Sequence, residues 1–369
     1  MLSRRKLLES GAALAASTLM GARAARAAAP RTLLILGGTG FIGPHLTREA
    51  LRQGWKVTHF NRGRHNEDVA AGVETLIGDR AGQLDALRNR HWDALIDDTG
   101  YIPKFVRQSA ELLESQTRYC LYISSISAYA SFARPNDEDS PTATLANPDE
   151  DIVSDETYGP MKAQCERVTQ QVFGARACIV RPGYIVGPLD PTDRFTYWPV
   201  RYARGGTMLA PGTPRDPIQV IDVRDLAVWL MQLVDARTSG VFNAVSPVGA
   251  FTMGGLISAC QHAARRAGTR VDWVPEEFLQ QHWTAAQLDL PPWSPLHGDS
   301  AGASLTSSAR AIKAGLRTRS LRRTVIDTLA WFRTLPEDRQ AKLRALIEPE
   351  REIDTLKNWE LSAARATPR

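Results

Sequence analysis

The sequence predicts an α/β fold, a doubly wound parallel sheet with a smaller, irregular C-terminal substrate-binding part. Short apolar runs alternate with helical segments up to residue 182, and Pro, Gly and Trp become frequent after it. Such alternation is typical of a parallel sheet covered by helices on both faces. The predicted strands span residues 32–36, 56–60, 73–77, 94–97, 119–124 and 177–181, and the predicted helices span residues 45–53, 82–90, 103–114 and 160–173.

Four regions are predicted along the chain. Residues 1–27 form a signal peptide, 28–182 the sheet domain, and 183–319 the substrate-binding part, interwoven with returning strands near 219–221 and 241–243. Residues 320–369 form a helical segment, in which Leu321, Val325, Leu329 and Phe332 recur at steps of three or four. We expect this segment to pack against the sheet domain or a partner, and a homodimer is possible.

The N-terminus resembles a twin-arginine export signal. Arg4 and Arg5 precede a mildly apolar stretch, residues 11–22, that is too short for a lasting membrane anchor, and small residues near Ala27 suit cleavage. We expect a periplasmic or secreted protein; the alternative is a cytoplasmic protein with a ragged basic extension. Residues 1–27 carry five basic residues and one acid, a net of +4, so about +1 is left of the chain's +5. This near-neutral charge argues against a broad nucleic-acid-binding surface.

Four cysteines show no paired spacing. Cys120 and Cys178 lie in or beside strand-like runs, and Cys165 and Cys260 lie in helix-like ones. They are predicted to be buried small apolar residues, with no metal site and no disulfide framework.

A glycine-rich turn lies directly between the first predicted strand and the first predicted helix. It contains Gly37, Gly40 and Gly43, with Phe41 and Ile42 between the last two. Here one glycine makes the tight turn, one lets phosphates approach the backbone, and one lets the helix pack on the strand. The helix N-terminus then offers free N–H groups to an anion. The turn predicts a dinucleotide-binding site; the alternative is a tight turn without a ligand.

The end of the second strand favours NADP over NAD. An NAD site usually has an acid here for the ribose, whereas this chain has Asn61, Arg62 and Arg64 and no acid before residue 67. Guanidinium groups bind a 2′-phosphate well, and an acid would repel it. After the third strand, Asp79 is expected either to bind the adenine amino group or to cap helix 82–90, and Arg80 is a further cofactor candidate. Polar groups in residues 97–101, after the fourth strand, are expected to line the pyrophosphate and the nicotinamide ribose.

A candidate catalytic set follows the fifth strand. Tyr158 and Lys162 are four residues apart and share one helix face, with Pro160 expected in the first turn. A nearby ammonium favours the phenolate and is expected to lower the pKa of Tyr158. Ser125, at the strand end, would hydrogen-bond the same substrate oxygen while Tyr158 moves its proton.

These motifs together resemble the extended short-chain dehydrogenase/reductases of the NAD-dependent epimerase/dehydratase family. The resemblance covers residues 31–247 and includes the glycine turn, Ser125, Tyr158-x-x-x-Lys162 and Arg181-Pro182-Gly183. It implies a Rossmann fold and a bound NAD(P), with Pro182 among the cofactor contacts. It also implies that Tyr158 transfers a proton, Lys162 binds the ribose and Ser125 assists.

Two departures from the family pattern bear on the reaction. Residues 61–63 and 78–80 are more similar to an atypical branch that includes chloroplast stem-loop RNA-binding proteins. The acid–base pair of sugar 4,6-dehydratases is missing, because Ile126 and Ser127 follow Ser125. Dehydration is therefore the less expected reaction.

Substrate contacts are predicted in residues 190–198, where one guanidinium stands among three aromatic rings. Arg194, Tyr197 and Trp198 are the candidates there, and Arg224 and Trp293 are weaker ones. Aromatic faces suit sugar rings, and arginine suits carboxylate or phosphate. The acidic residues 137–156 are expected to form a solvated loop or a lid.

The sequence thus predicts an exported NAD(P)-dependent oxidoreductase or epimerase acting on a small, sugar-like alcohol. One alternative is a dinucleotide-binding sensor or structural protein without turnover. Another is an RNA-binding protein of the atypical branch, although no nucleic acid is expected as a partner.

Overall fold

Seven parallel strands form the central sheet of the computed structural model, which describes residues 30–65, 69–265, 268–344 and 346–366. The strand order is β11-β6-β5-β4-β1-β2-β3. The elements up to residue 182 are β1 (Thr32–Leu36), α1 (Gly43–Arg52), β2 (Lys56–Asn61), β3 (Glu74–Ile77), β4 (Ala94–Asp97), α2 (Pro103–Leu113), β5 (Cys120–Ile123), α3 (Asp155–Phe173) and β6 (Ala177–Pro182).

Side chains alternate between the two faces of the sheet, as the period of a strand requires. In β1, Leu33 and Ile35 enter one apolar core with residues of α1, whereas Leu34 and Leu36 enter another with residues of α2. All four are at most 1% exposed. Strands β4, β5 and β6 are buried on both faces in the same way, which explains why continuous apolar runs located these central strands. The edge strand β3, which was also located, has no buried residue.

The strand order reverses beside β1, which pairs in parallel with β2 on one side and with β4 on the other. In such sheets, ligands bind outside the carboxyl ends of the strands at this reversal. The glycine turn follows β1 directly, so the topology places it at that point.

Two local predictions differ from the structure. The predicted helix 82–90 is only a short 3-10 turn, Asp85–Leu87. Helix α3 begins at Asp155, where Ser154 and Thr157 form a capping box, so Pro160 lies inside the helix and not in its first turn.

In the described residues, the C-terminal half adds β11 to the central sheet, three two-stranded sheets (β7–β10, β9–β12 and β8–β13) and a second apolar core. The β7–β10 and β8–β13 pairs are parallel. The elements are β7 (Tyr184–Val186), α4 (Tyr197–Arg204), β8 (Gly206–Pro211), β9 (Pro217–Ile218), β10 (Val220–Asp222), α5 (Val223–Ala236), β11 (Gly240–Ala244), β12 (Phe251–Thr252), α6 (Met253–Ala264), β13 (Thr269–Val274), α7 (Glu276–His282), α8 (Ala309–Lys313), α9 (Leu321–Phe332), α10 (Glu337–Ala341) and α11 (Pro349–Ala366).

The apolar stripe of the C-terminal segment is buried within the chain. Leu321, Val325, Leu329 and Phe332 lie on α9 and are all at most 6% exposed. This helix packs chiefly on α6 of the second core, so its apolar face is already covered by this chain.

The four cysteines are free and buried. Among the described residues, no helix is long and apolar enough to cross a membrane, and no group of His, Cys, Asp and Glu side chains could hold a metal ion.

Candidate active site

A cavity of about 800 Å³ lies at the carboxyl ends of the central strands. Its lining comes from the glycine turn, the segment after β4, the end of β5 with the first turns of α3, the segment that follows β6, and residues between 285 and 303. The predicted site residues that line this cavity are Gly40, Phe41, Ile42, Ser125, Tyr158, Lys162, Pro182, Arg194 and Trp293.

The glycine turn has the backbone geometry that a pyrophosphate needs. Gly37 has φ +108°, and a Cβ there would meet Thr99 at 2.5 Å. A Cβ on Gly43 would lie 2.3 Å from the Gly38 backbone, so this glycine lets α1 start against the turn. A Cβ on Gly40 would meet nothing within 4 Å. The turn is thus closed behind Gly40 and open in front of it, which fits a phosphate at the N-terminus of α1.

The residues expected at the adenosine end lie outside this cavity. Asn61 donates to the Gly37 carbonyl at 3.4 Å and accepts from the Gly63 amide at 2.8 Å, so it supports the turn. Arg62 and Arg64 are exposed and form no ion pair with a described residue. The Asp79 carboxylate accepts from the Ala81 amide at 3.0 Å, where it shapes a turn and caps no helix.

Arg80 differs from the prediction. Its side chain is 12% exposed, and its guanidinium donates to both carboxylate oxygens of Asp97, at 2.6 and 2.8 Å, and to Ser109 at 2.7 Å. Because this charge is already paired inside the sheet domain, Arg80 is a structural residue and is not available to a nucleotide.

Ser125 begins a short 3-10 turn, Ile126–Ala128, after β5. Its Oγ accepts from the Ser127 amide at 3.1 Å and lies 3.1 Å from the Ser127 Oγ. Helix α3 comes very close to this turn, since a Cβ on Gly159 would lie 2.2 Å from the Ser127 carbonyl oxygen. Gly159 is therefore what allows Tyr158 to stand beside Ser125. Sequence reasoning missed it, although a glycine inside a helical pattern signals a close approach.

Tyr158 is half-buried between Tyr101 and the substrate side of the cavity. The centres of the Tyr101 and Tyr158 rings are 6.3 Å apart. The expectation that a nearby ammonium lowers the pKa of Tyr158 is wrong: burial raises this pKa above its ordinary value, while the neighbouring Ser125 hydroxyl and the charge of Arg194 lower it in part. The raised pKa keeps Tyr158 protonated at neutral pH. Once Tyr158 has lost its proton, these two neighbours stabilise the phenolate.

Lys162 is buried at the floor of the cavity, and its binding of the ribose stays a prediction. Its Nζ donates to the carbonyls of Gly100 at 2.9 Å and Ile123 at 2.7 Å. Burial lowers the pKa of Lys162 to about 8. Its charge is not among the influences on the pKa of Tyr158, where Arg194 acts instead. Lys162 therefore joins β5 to the loop after β4 at the floor of the site.

The segment after β4 contributes two residues that were not singled out. Asp98 and Tyr101 line the cavity. Burial, with the neighbouring charge of Asp97, raises the pKa of Asp98 to about 7. The Lys162 Nζ lies 4.9 Å from the centre of the Tyr101 ring. The polar run after the fourth strand was the signal for both.

Arg194 lies at the exposed, substrate-facing rim. Its guanidinium is 5.5 Å from the centre of the Tyr184 ring, and its Nε donates to Thr192 Oγ1 at 3.3 Å. The preceding residue, Asp193, is fully buried and accepts from Arg339 at 2.7 Å and from the Arg344 amide at 3.0 Å. The C-terminal segment therefore anchors the loop that presents Arg194.

Three other predicted substrate residues lie elsewhere. Tyr197 and Trp198 are 1% and 0% exposed in the second core, and Trp198 donates to the Pro291 carbonyl at 2.8 Å. Arg224 is paired with Asp222 at 2.7 Å and with Asp327 at 2.5 Å. None of the three lines the cavity. The rest of the cavity lining includes Phe132, Tyr184, Asp190, Leu288, Asp289, Trp293 and Asp299. Asp190 lies in the predicted segment 190–198 and Trp293 was a weaker candidate, whereas sequence reasoning missed the other five.

Comparison with known proteins agrees with this geometry. A model of the NAD dependent epimerase/dehydratase family matches residues 33–244. The chloroplast stem-loop binding protein of 41 kDa b from Arabidopsis thaliana is 26% identical over 277 residues, 70% of this chain and 70% of that protein.

Solved structures share the fold at low identity. UDP-glucuronic acid 4-epimerase from Bacillus cereus, in complex with NAD, has a TM-score of 0.60 and 14% identity over 83% of this chain and 97% of that chain. The human epimerase family protein SDR39U1, with NADPH, has a TM-score of 0.54 and 18% identity over 81% of this chain and 99% of that chain.

Gly159→Ala is expected to separate α3 from the Ser125 turn. The added methyl group meets a backbone oxygen that cannot rotate away, and such overpacking costs about 1–3 kcal/mol. Chemical denaturation measures this loss of unfolding free energy. Gly255→Ala in α6 is the matched control, because its Cβ meets only Thr252 Oγ1 at an ordinary 3.4 Å. Equal stability of the two variants would contradict the close approach.

Proposed function

This chain belongs to the NAD dependent epimerase/dehydratase family of enzymes, and we propose that it is an NAD(P)-dependent oxidoreductase or epimerase that acts on a hydroxyl or carbonyl of a small, sugar-like substrate. One observation carries the proposal. A single cavity joins the glycine turn at Gly40 to Ser125, Tyr158 and Lys162.

The proposed chemistry at the substrate is a proton transfer. When bound, the nicotinamide supplies or accepts the hydride. Tyr158 gives its proton to a carbonyl oxygen, or takes one from a hydroxyl after losing its own. Ser125 hydrogen-bonds the same oxygen, and the guanidinium of Arg194 stabilises the phenolate form. Lys162 holds the floor of the site through Gly100 and Ile123, close to where a ribose would lie.

The cofactor is NAD(P), and we propose NADP, with NAD as the alternative. The guanidinium groups of Arg62 and Arg64 after β2 are exposed and form no ion pair within the described part of the chain. They support NADP, because a 2′-phosphate matches their paired donors. Structures of similar fold hold NAD in the bacterial epimerase and NADPH in the human protein.

The proposed substrate is a free sugar or sugar acid and not a nucleoside diphosphate sugar. The acids Asp190, Asp289 and Asp299 line the same cavity as Arg194, and the charge of Arg194 acts on Asp190 and Asp289. Three carboxylates and only one guanidinium disfavour the binding of a diphosphate. Sugar hydroxyl groups can instead donate hydrogen bonds to the carboxylates, and the face of a sugar ring can pack on the Tyr184 ring. The Bacillus cereus enzyme acts on UDP-glucuronic acid, so this distinction can be tested directly.

We also propose that the protein is exported after cleavage near Ala27, a region that lies outside the described residues. Free NADP is scarce outside the cytoplasm, so an exported enzyme needs to retain its cofactor, which an epimerase regenerates in each turnover. N-terminal sequencing of the protein from fractionated cells tests this. A full-length chain found only in the cytosol would rule export out.

RNA binding is the second candidate, because the Arabidopsis relative is a stem-loop binding protein. Electrostatic RNA binding weakens steeply with salt. Salt-dependent binding of a stem-loop RNA, unaffected by loss of Tyr158, would favour this candidate over catalysis.

Tyr158→Phe is expected to lower turnover about 10²–10⁴-fold, because it removes the proton that Tyr158 transfers. The assay follows nicotinamide absorbance, and the conversion of one sugar epimer to the other, across a panel of free sugars, sugar acids and UDP-sugars. Tyr202→Phe is the control: Tyr202 is buried in the second core, away from the cavity. Full activity of Tyr158→Phe would leave a sensor or structural role.

Arg62→Ala combined with Arg64→Ala is expected to weaken NADP binding at least tenfold and to leave NAD binding unchanged, since only NADP carries the 2′-phosphate. Calorimetric titration measures both affinities. Mass spectrometry of the nucleotide released by denaturing the purified protein identifies the natural cofactor. Release of NAD alone, with no effect of the double variant on NADP affinity, would show that the two arginines are ordinary surface residues.

A further inference from the structure

Glu166 lies under the candidate site and takes no part in the proton transfer described above. It is on α3, eight residues after Tyr158 and four after Lys162, so the three side chains lie along one side of the helix. Its Oε1 accepts from Ser124 Oγ at 2.5 Å and from Arg181 Nε at 2.8 Å, and its Oε2 accepts from Arg181 Nη2 at 2.6 Å. We name Ser124, Glu166 and Arg181 the Glu166 cluster.

The Glu166 cluster joins the three elements that form the reactive end of the cavity. Ser124 follows β5 and precedes Ser125. Glu166 is on the helix that carries Tyr158, and Arg181 is on β6 directly before Pro182. All three cluster residues are at most 4% exposed. Charge-assisted hydrogen bonds away from water are stronger and more directional than exposed ones.

Arg181 is itself held from the opposite side. Its guanidinium lies 4.8 Å from the centre of the Tyr129 ring, and Tyr129 Oη donates to Asn243 Oδ1 at 2.7 Å. Arg181 Nη1 also donates to the Glu138 carbonyl at 3.5 Å. These contacts hold the Arg181 guanidinium in place, and the guanidinium in turn fixes the position of the Glu166 carboxylate. Because the carboxylate accepts a hydrogen bond from Ser124, it also fixes the position of Ser124.

We propose that Glu166 is a positioning residue, whose carboxylate holds the Ser124–Ser125 backbone against α3 and so sets the separation of Ser125 and Tyr158. The proposal rests on the proposed function of these two residues. A buried ion pair contributes little net stability compared with apolar packing, so the precise placement of Ser124 is what this pair adds.

Glu166→Gln tests the proposal, because it keeps the size of the side chain and removes the charge that holds Arg181. We expect kcat to fall about 10²-fold, as for a misplacement near 1 Å, with KM and cofactor affinity unchanged. Glu166→Asp, which keeps the charge, is expected to recover part of kcat. Hydrogen exchange followed by mass spectrometry is expected to become faster in residues 120–129.

Ser124→Ala is the second variant, because it cuts the link to β5 and leaves the Glu166–Arg181 ion pair intact. It is expected to lower kcat, again at constant KM, even where Glu166→Gln fails to fold. Glu352→Gln is the matched control. Glu352 accepts from Arg201 at 2.7 Å and from the Leu209 amide at 3.0 Å in the second core, so it is expected to lower stability without changing kcat.

The outcomes separate this proposal from the proposed function. Wild-type kcat in Ser124→Ala, with Tyr158→Phe inactive, would overturn the role of Glu166 and leave the proton transfer intact. Unchanged exchange in residues 120–129 of folded Glu166→Gln would overturn it as well, without reference to any substrate. Activity retained in Tyr158→Phe would instead overturn the proposed function.

Discussion

The packing of α3 across the ends of β5 and β6 is the contact on which the candidate site depends. Because Gly159 has no side chain, the helix can lie directly against the Ser127 carbonyl. Lys162, on the same helix, donates hydrogen bonds to the carbonyls of Gly100 and Ile123. Tyr158 therefore reaches the cavity from a helix that is fixed at neighbouring turns. A site built on rigid elements keeps its reacting groups within the small tolerances that proton transfer needs.

The sequence predicted the centre of the sheet well because β1, β4, β5 and β6 are buried on both faces. The apolar run Leu33–Leu36 ends directly at the glycine turn, a position that is typical of a buried strand. The structure confirms the doubly wound fold. The segment after β3 was harder. Residues 82–90 have helical composition, but the chain there is anchored by the Arg80–Asp97 ion pair and the Gly78 turn, and only one 3-10 turn forms. Tertiary contacts outweighed local propensity at this place.

Site residues that belong to a backbone motif could be predicted from the sequence. Site residues whose place depends on which side chains are buried could not. Gly40, Ser125 and Tyr158 line one cavity because the topology brings the carboxyl ends of parallel strands together. Arg194, Tyr197 and Trp198 are neighbours in sequence, yet only Arg194 faces the cavity. Sequence alone does not show which residues of an irregular segment point into the core. Large aromatic rings that point inward contribute most to the apolar contacts of a core.

The C-terminal half affects the proton chemistry through Arg194 more than through any apolar contact. Arg194 lies next to Asp193, which Arg339 and the Arg344 amide hold in the interior. Its charge lowers the pKa of Tyr158 in part. In the proposed reaction the acid–base residue thus comes from the sheet domain, whereas the cation that stabilises its ionised form is held in place by residues near the end of the chain. If Arg194 also binds the substrate, as proposed, one loop sets both the substrate position and the proton affinity of Tyr158.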